Sequence, residues 1–386
     1  MIPLITSKSV VLLIAIGLTS CGEAQKTSKP IATAESKLAA IKTLNSIIKP
    51  SHTAKLAISN DVDWPAGDLP WDRFTLPLIS PNGLHAIVQL GKAPPLDILC
   101  GLKNAPVTTT SIELFALDPL QGRQISPLTV DREGLVIGRS ANDQFALVEL
   151  PAGENGRWIG EVDWATGSLR WVVSDDAINC FSTTNSAGDI AWSRREQDKN
   201  RFHLVVKTSS GQKVIDDGSS DWLLPSFVGH DRLRAFQILN GRLTLVEFDL
   251  RATDPMQTSI ALPIIQSGAT REIAFQIATT NSGSTVNFPS AFYHPVQKRM
   301  VVWQPSKAVN TIALEPKSIA AVPISDGSWL VATMNRVIRQ SATGEPGIHL
   351  RNRFAIPIAT TSLQWTHFLL IPDGNRLQIR AINMGL

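Results

Sequence analysis

A repeat constrains this chain more than any single motif does. An apolar run ending in a polar residue and followed by a small-residue turn recurs four times: ELFALDPLQGRQI (113–125), IGEVDWATGSLRW (159–171), HLVVKTSSGQKVI (203–215) and LVEFDLRATDPMQTSI (245–260). The aligned polar residues Asp118, Asp163, Lys207 and Asp249 stand 45, 44 and 42 residues apart, and the turn glycines Gly122, Gly167 and Gly211 repeat the steps of 45 and 44. A second phrase, a turn followed by an apolar strand, interleaves with the first, as in SPNGLHAIVQL (80–90), NSAGDIAWSRR (185–195) and PDGNRLQIRAI (372–382). Two hairpins per period give about four strands in 40 to 50 residues, the content of a propeller blade.

At about 45 residues a blade, the stretch from Asp63 to Leu386 predicts an all-β fold: a β-propeller of about seven four-stranded blades, with six and eight left open. A β-sandwich array would repeat at about 100 residues and without self-similar halves, so it fits less well. Residues 63–78 are placed to complete the blade formed by the C-terminal HFLLIPDGNRLQIRAI, which would close the ring and protect its edge.

The chain ahead of the repeats differs in kind. Lys8 precedes an uncharged run, VVLLIAIGL, too short to span a bilayer as a helix but right for the core of a signal peptide. It ends in LTSCG, which resembles the lipobox of bacterial lipoproteins. That resemblance implies cleavage of a signal peptide (1–20) and acylation of Cys21, the lipid then holding a soluble domain on a membrane. Gly22 rather than Asp follows the cysteine, so the resemblance implies an outer-membrane anchor facing the periplasm. Residues 21–62 read as a lipidated tether with one short amphipathic helix. Leu38, Ile41, Leu44 and Ile48 fall at helical spacing there, and Pro50 stops it. The propeller domain is 63–386. With 36 basic and 33 acidic side chains, the chain lacks the field that nucleic acid would demand.

The best-preserved repeat, EVDWATGSLRW, resembles the tryptophan-docking repeat of quinoprotein-type propellers, Ala-x-Asp-x-x-Thr-Gly-Lys-x-x-Trp. Asp163, Thr166, Gly167 and Trp171 match, while Glu161 and Ser168 depart from it. ALDPLQGRQIS keeps Ala116, Asp118 and Gly122, and VKTSSGQKVI keeps Gly211. The SPNG and PDG turns equally resemble TolB-like repeats. The resemblance implies structural roles: Asp and Thr-Gly close a hairpin, and the Trp packs toward a neighbouring blade. Quinone chemistry on such a fold would also use a calcium site and, in many members, adjacent cysteines, and this chain has no adjacent cysteines. No cofactor is expected.

Other catalytic signatures are missing. There is no Gly-x-Ser-x-Gly elbow, no His-Glu-x-x-His pair and no phosphate loop. Seven histidines lie without metal spacing, and Asp216, Asp217 and Asp221 read as solvated loop carboxylates rather than a calcium site, so no metal is expected. Cys100 and Cys180 are candidates for a disulfide in an oxidising periplasm, which their spacing does not decide. Ten Trp against one Tyr fit inter-blade packing, with Trp164 and Trp222 as candidate aromatic platforms for a partner.

These features favour a membrane-anchored, periplasm-facing scaffold that binds an envelope protein or polysaccharide. The competing reading is an envelope hydrolase or lyase whose carboxylates, drawn from different blades, converge on the propeller axis.

Overall fold

The computed structural model describes residues 63–70, 76–91, 110–118, 123–124, 127–152, 156–267, 291–294, 299–302, 310–313, 318–324, 328–341, 348–351, 355–359 and 366–383. The signal peptide, Cys21, the tether and its expected helix, Cys100 and Gly122 lie outside them. Strands dominate, and the only helical turn among the described residues is a 3-10 turn at Pro255–Thr258.

In chain order, β1 (Asp63–Pro70) is followed by a five-stranded sheet: β2 (Leu78–Ile79), β3 (His85–Leu90), β4 (Ser111–Asp118), β5 (Arg123–Gln124) and β6 (Leu128–Thr129). An eight-stranded sheet comprises β7 (Val136–Ala141), β8 (Phe145–Ala152), β9 (Gly156–Asp163), β10 (Leu169–Val173), β11 (Ile178–Thr184), β12 (Ile190–Arg195), β13 (His203–Thr208) and β14 (Gly211–Ile215). Four strands follow, β15 (Asp221–Val228), β16 (Arg232–Leu239), β17 (Arg242–Asp249) and β18 (Ile260–Ser267), then three, β19 (Ala291–His294), β20 (Arg299–Val302) and β21 (Asn310–Ala313). The next sheet is β22 (Ser318–Pro323), β23 (Trp329–Thr333), β24 (Val337–Gln340) and β25 (Ile348–Arg351), and the last combines β26 (Ile356–Ala359), β27 (Thr366–Asp373) and β28 (Arg376–Asn383) with β1.

Apolar alternation in these strands sorts side chains between two neighbouring blades rather than between core and solvent. Leu78, Ile87 and Leu114 join Ala146, Val148 and Trp164 of the following sheet in one buried cluster. Their chain neighbours Ile79, Val88 and Phe115 join Leu69, Phe368 and Leu377 of the last sheet. The same sorting joins Leu147 and Ile159 to Trp192 and Val205, and Leu204 and Val206 to Leu233 and Phe248. First and last sheets therefore pack on one another, and the architecture is a β-propeller. Each fully buried aliphatic side chain contributes about 1.5–3 kcal/mol.

Ring closure uses both ends of the domain. β1 pairs antiparallel with β28, from Asp63↔Ile382 to Pro70↔Arg376, so an early strand completes the C-terminal blade. The first strands of successive meanders, β2, β7, β11 and β15, touch in sequence, as do β19, β22 and β26, and so line the axis; β7 and β11 open the two halves of the eight-stranded sheet. In three successive blades this strand breaks register, after Ile137, Cys180 and Leu223, at steps of 43. Phe181 and Leu224 sit at two of these breaks with φ of 58° and 57°, a conformation that costs such side chains about 1–3 kcal/mol each.

The blade count departs from expectation. Among the described residues, complete blades of four full strands appear in four of the six sheets, not as about seven separate units. The sheet at 78–129 ends in two-residue strands and the one at 291–313 has three. The regular turn glycines that set the period are concentrated between 122 and 211, and outside that stretch the repeat is looser.

Candidate functional site

The hairpin predicted from the best repeat is built from its own polar atoms. Asp163 Oδ1 accepts from Ala165 N at 3.0 Å and from Thr166 N and Oγ1 at 2.8 Å, and Gly167 N donates to Asp163 O at 2.9 Å. The hydrogen bond from Thr166 is the chief cause that holds the Asp163 carboxyl below its ordinary range. Gly167 takes φ +68°, and a Cβ there would sit 2.5 Å from Leu128 Cδ2. Trp171 lies edge-to-face with Trp158 at 5.4 Å, above Gly160, and the Arg132 guanidinium covers both rings. Glu161, which departs from the repeat pattern, is buried and accepts from Arg170 Nε at 2.9 Å. Asp118 ends β4 opposite Arg123, and Gly211 opens β14 with φ +131°.

The two tryptophans expected to form platforms do not do so. Trp164 is 3% exposed: its turn folds inward, Nε1 donates to Asn142 O at 2.8 Å, and the ring stacks on His85 at 5.7 Å. Trp222 is fully buried against Phe248. Neither ring faces solvent, because inter-blade packing takes both. Cys180 is buried, while its candidate partner Cys100 lies outside the described residues.

The three loop carboxylates are each engaged within the chain, and Arg201 Nη1, paired with Asp216, also lies 3.8 Å from Asp217 Oδ1. Asp216 pairs with Arg201 at 2.7 Å, and Asp221 accepts from Phe202 N at 2.9 Å. Asp217 accepts from Ser219 N and from Ser220 N and Oγ. Burial would raise the Asp217 carboxyl, but these bonds outweigh it and hold it at about 2. Among the described residues, no group of three His, Cys, Asp or Glu could hold a metal ion. The described first strands, which line the axis, carry Asp221 as their one carboxylate.

The chemistry concentrates instead in a cleft where the second and third blades splay apart. Its volume is about 530 Å³. One wall is the end of β10 with Val172 and Val173; the other is the blade face formed by β12, β13 and β14. Registry explains that face: Trp192 pairs with Val205 and Val205 with Val214 in one row, and Arg194 with His203 in the next. Trp192 and Val205 form a buried floor, whereas Val214 is 57% exposed.

A polar relay closes one end. Arg194 Nη1 donates to Asp175 Oδ2 at 2.5 Å and to Asn179 Oδ1 at 3.2 Å, and its Nε donates to Glu196 Oε1 at 3.1 Å. Asn179 also donates to Asp175 Oδ1 and accepts from Trp192 Nε1, both at 2.9 Å, which ties the relay to the floor. Burial opposes ionisation of Asp175 and Glu196, but hydrogen bonds outweigh it and both carboxyls sit below their ordinary ranges. His203 is 8% exposed, and burial, partly offset by Glu196, lowers its pKa and leaves the ring neutral near pH 7. Its Nδ1 stands 3.6 Å from Glu196 Oε2, beyond hydrogen-bond reach, and Glu196 Oε2 itself has no hydrogen-bond partner.

The sequence singles out none of Asp175, Asn179, Arg194 and Glu196, and His203 stands in it only as one of seven histidines without metal spacing. The available signal was Arg194 and Glu196 breaking an otherwise apolar strand phrase.

No family model and no curated protein sequence matches the chain. Among solved structures, it is similar to TolB from Acinetobacter baumannii, at 11% identity and a TM-score of 0.36 over 77% of this chain and 79% of that one. It is also similar to prolyl oligopeptidase B from Galerina marginata, at 11% identity and 0.43 over 72% and 42%. A puromycin-hydrolysing peptidase of Mycobacterium tuberculosis matches at 13% identity and 0.35 over 48% of this chain. The chain spans 28% of the length of that peptidase. The propeller assignment rests on the strand ladders and interlocking cores described above.

Proposed function

We propose that the chain is a ring of seven blades, held by acyl groups on Cys21 at the outer membrane facing the periplasm, that acts by binding an envelope protein or polysaccharide. The blade number is supported by splitting the eight-stranded sheet at its one parallel pair, Ile178↔Arg157, where two up-and-down meanders meet. The anchor is supported by Leu18-Thr19-Ser20-Cys21 directly after the apolar run. The observation that carries the binding reading is the cleft between the second and third blades, where Val172, Val173, Val205 and Val214 line the space beside the polar side chains of Asp175, Arg194, Glu196, His203 and Gln212.

The geometry favours binding over hydrolysis. Asp221, the carboxylate found on the described first strands, is engaged by Phe202 N. No described hydroxyl hydrogen-bonds His203, so the nucleophile–base contact of acyl transfer is not assembled there. A crosslinked pull-down from solubilised envelopes tests the reading. Recovery of a specific protein or polymer by the wild type, lost or redistributed on Cys21→Ala, is the expected result. Repeated recovery of nothing specific would overturn it.

A further inference from the structure

We infer that residues 35–49 of the chain's own N-terminal segment dock on the first blade, over Leu84 and Leu128, and so hold one defined face of the ring toward the membrane. This rests on the anchored reading proposed above only in taking residues 21–62 as the tether.

Three observations point to that occupant. The first is where the segment enters. Asp63 pairs with Ile382, Ile382 with His367, and His367 with Ala359. The tether therefore reaches the ring at the end where the first strand of a blade turns into the second. In the first blade that turn is residues 80–84, and it carries Leu84. The blades keep one sense around the ring: His85, at this end of the first blade, stacks on Trp164 of the second, and Asn142 of the second donates to Asn185 O of the third. β1 packs on β4 and β5, so the entry point and the first blade are neighbours. Residues 50–62 span at most about 45 Å, enough to lay residues 35–49 over that blade.

The second is the surface. Leu84 and Leu128 are 46% and 43% exposed and flank one turn of the second blade. His85, next to Leu84, stacks on Trp164 in that turn, and a Cβ at Gly167 would meet Leu128 Cδ2. The stripe Leu38, Ile41, Leu44 and Ile48 is the matching apolar face. A helix of about 15 residues is marginal in water on its own and takes most of its stability from packing such a face.

The third is charge complementarity. Residues 22–62 carry Lys26, Lys29, Lys37, Lys42, Lys49 and Lys55 against Glu23, Glu35 and Asp61. On the entry face of the first three blades, the described turns at 80–84, 142–144, 164–168, 185–189 and 209–210 hold Asp143 and Asp189, beside Asp163, and no lysine or arginine. Opposite charge orients the segment on this face, while burial of the stripe holds it there.

Docking has a consequence for the cleft. His203 opens β13 and Asp175 precedes β11, so the polar end of the cleft lies at the opposite end of the ring. Held by its entry face, the ring directs that end away from the membrane.

The test uses the full lipidated chain. A photoreactive residue at Leu84, illuminated in envelopes and mapped by mass spectrometry, should join to residues 35–49 of the same chain, and one at Ile260, exposed on a different sheet, should not. Ile41→Asp with Leu44→Asp should abolish that crosslink. In the detergent-solubilised chain, Leu84→Arg should speed tryptic cleavage after Lys42 at least about tenfold. Because Leu84 is exposed, this variant should keep a cooperative thermal transition, and Leu84→Ser, without added charge, should speed cleavage in the same direction. Failure of Leu84 to join to residues 35–49, adducts with lipid alone, or cleavage after Lys42 unchanged by Leu84→Arg would each overturn the inference. A Leu84 adduct with another protein would give this face to a partner, overturning the inference while leaving the binding function, read by pull-down, intact.

Discussion

Arg234 and Glu247 face one another across β16 and β17, with Nε and Oε2 2.7 Å apart and side chains only 1% and 8% exposed. The other oxygen of Glu247 accepts from Arg232 at 2.9 Å. Removing one partner of such a pair strands a buried charge, so Glu247→Ala should cost about 3–5 kcal/mol in urea denaturation. The double variant Arg234→Met with Glu247→Leu should recover most of that loss. A cost below about 1 kcal/mol for the single variant would show that the pair is not desolvated in solution.

The Asp163 hairpin makes a local prediction. Gly167→Ala adds a Cβ to a left-handed residue and pushes it into Leu128, so it should destabilise by about 1–2 kcal/mol. Asp163→Ala removes the acceptor of three hydrogen bonds and should cost a similar amount, about 1–2 kcal/mol. Neutral thermal shifts for both would mean that the turn does not depend on this side chain.

Acid should weaken the fold in two stages. Burial lowers His85 and His203 below 6.5, so the unfolded chain binds more protons than the folded one as pH falls through that value. Their contribution is therefore present above about 6.5 and is lost on acidification toward the lowered folded values. Asp163, Asp175, Glu196 and Asp217 are also lowered, and their contribution is lost further down, as pH falls from their ordinary range toward about 2. Urea midpoints should fall between about pH 7.5 and pH 5, and less steeply in His85→Gln with His203→Gln. A midpoint that rises over that interval would contradict the burial of these rings.

Closure predicts sensitivity at the start of the domain. β1 supplies the fourth strand of the last blade, and its Leu69 is fully buried. A chain starting at Trp71 should therefore lose its cooperative thermal transition or aggregate through the exposed edge of β28. Retention of the wild-type melting profile would show that the ring does not depend on this strand.

The sequence carried the propeller in two signals, the turn period and the apolar strand phrases interleaved with it, because turn residues and strand patterning are local. It also pointed to residues 63–78 as the closing piece, of which Asp63–Pro70 pairs with β28 while Leu78–Ile79 joins the first sheet. It misjudged Trp164 because a turn position was equated with exposure, whereas Asn142 O and the His85 ring fold that indole into the blade interface. The register breaks after Ile137, Cys180 and Leu223 leave no compositional mark, since Gly138, Phe181 and Leu224 share only their place in the ring. The cleft was illegible for a related reason. Asp175 follows one blade and His203 starts a strand of the next, and cross-strand registry rather than sequence proximity brings Arg194 beside His203.

Site-specific photocrosslinking in living envelopes tests the binding account most directly. A photoreactive residue at Val214 should yield one specific adduct with an envelope component, and the same residue at Ile260, which is 62% exposed on a different sheet, should not. No adduct at Val214, or identical adducts at both positions, would contradict it.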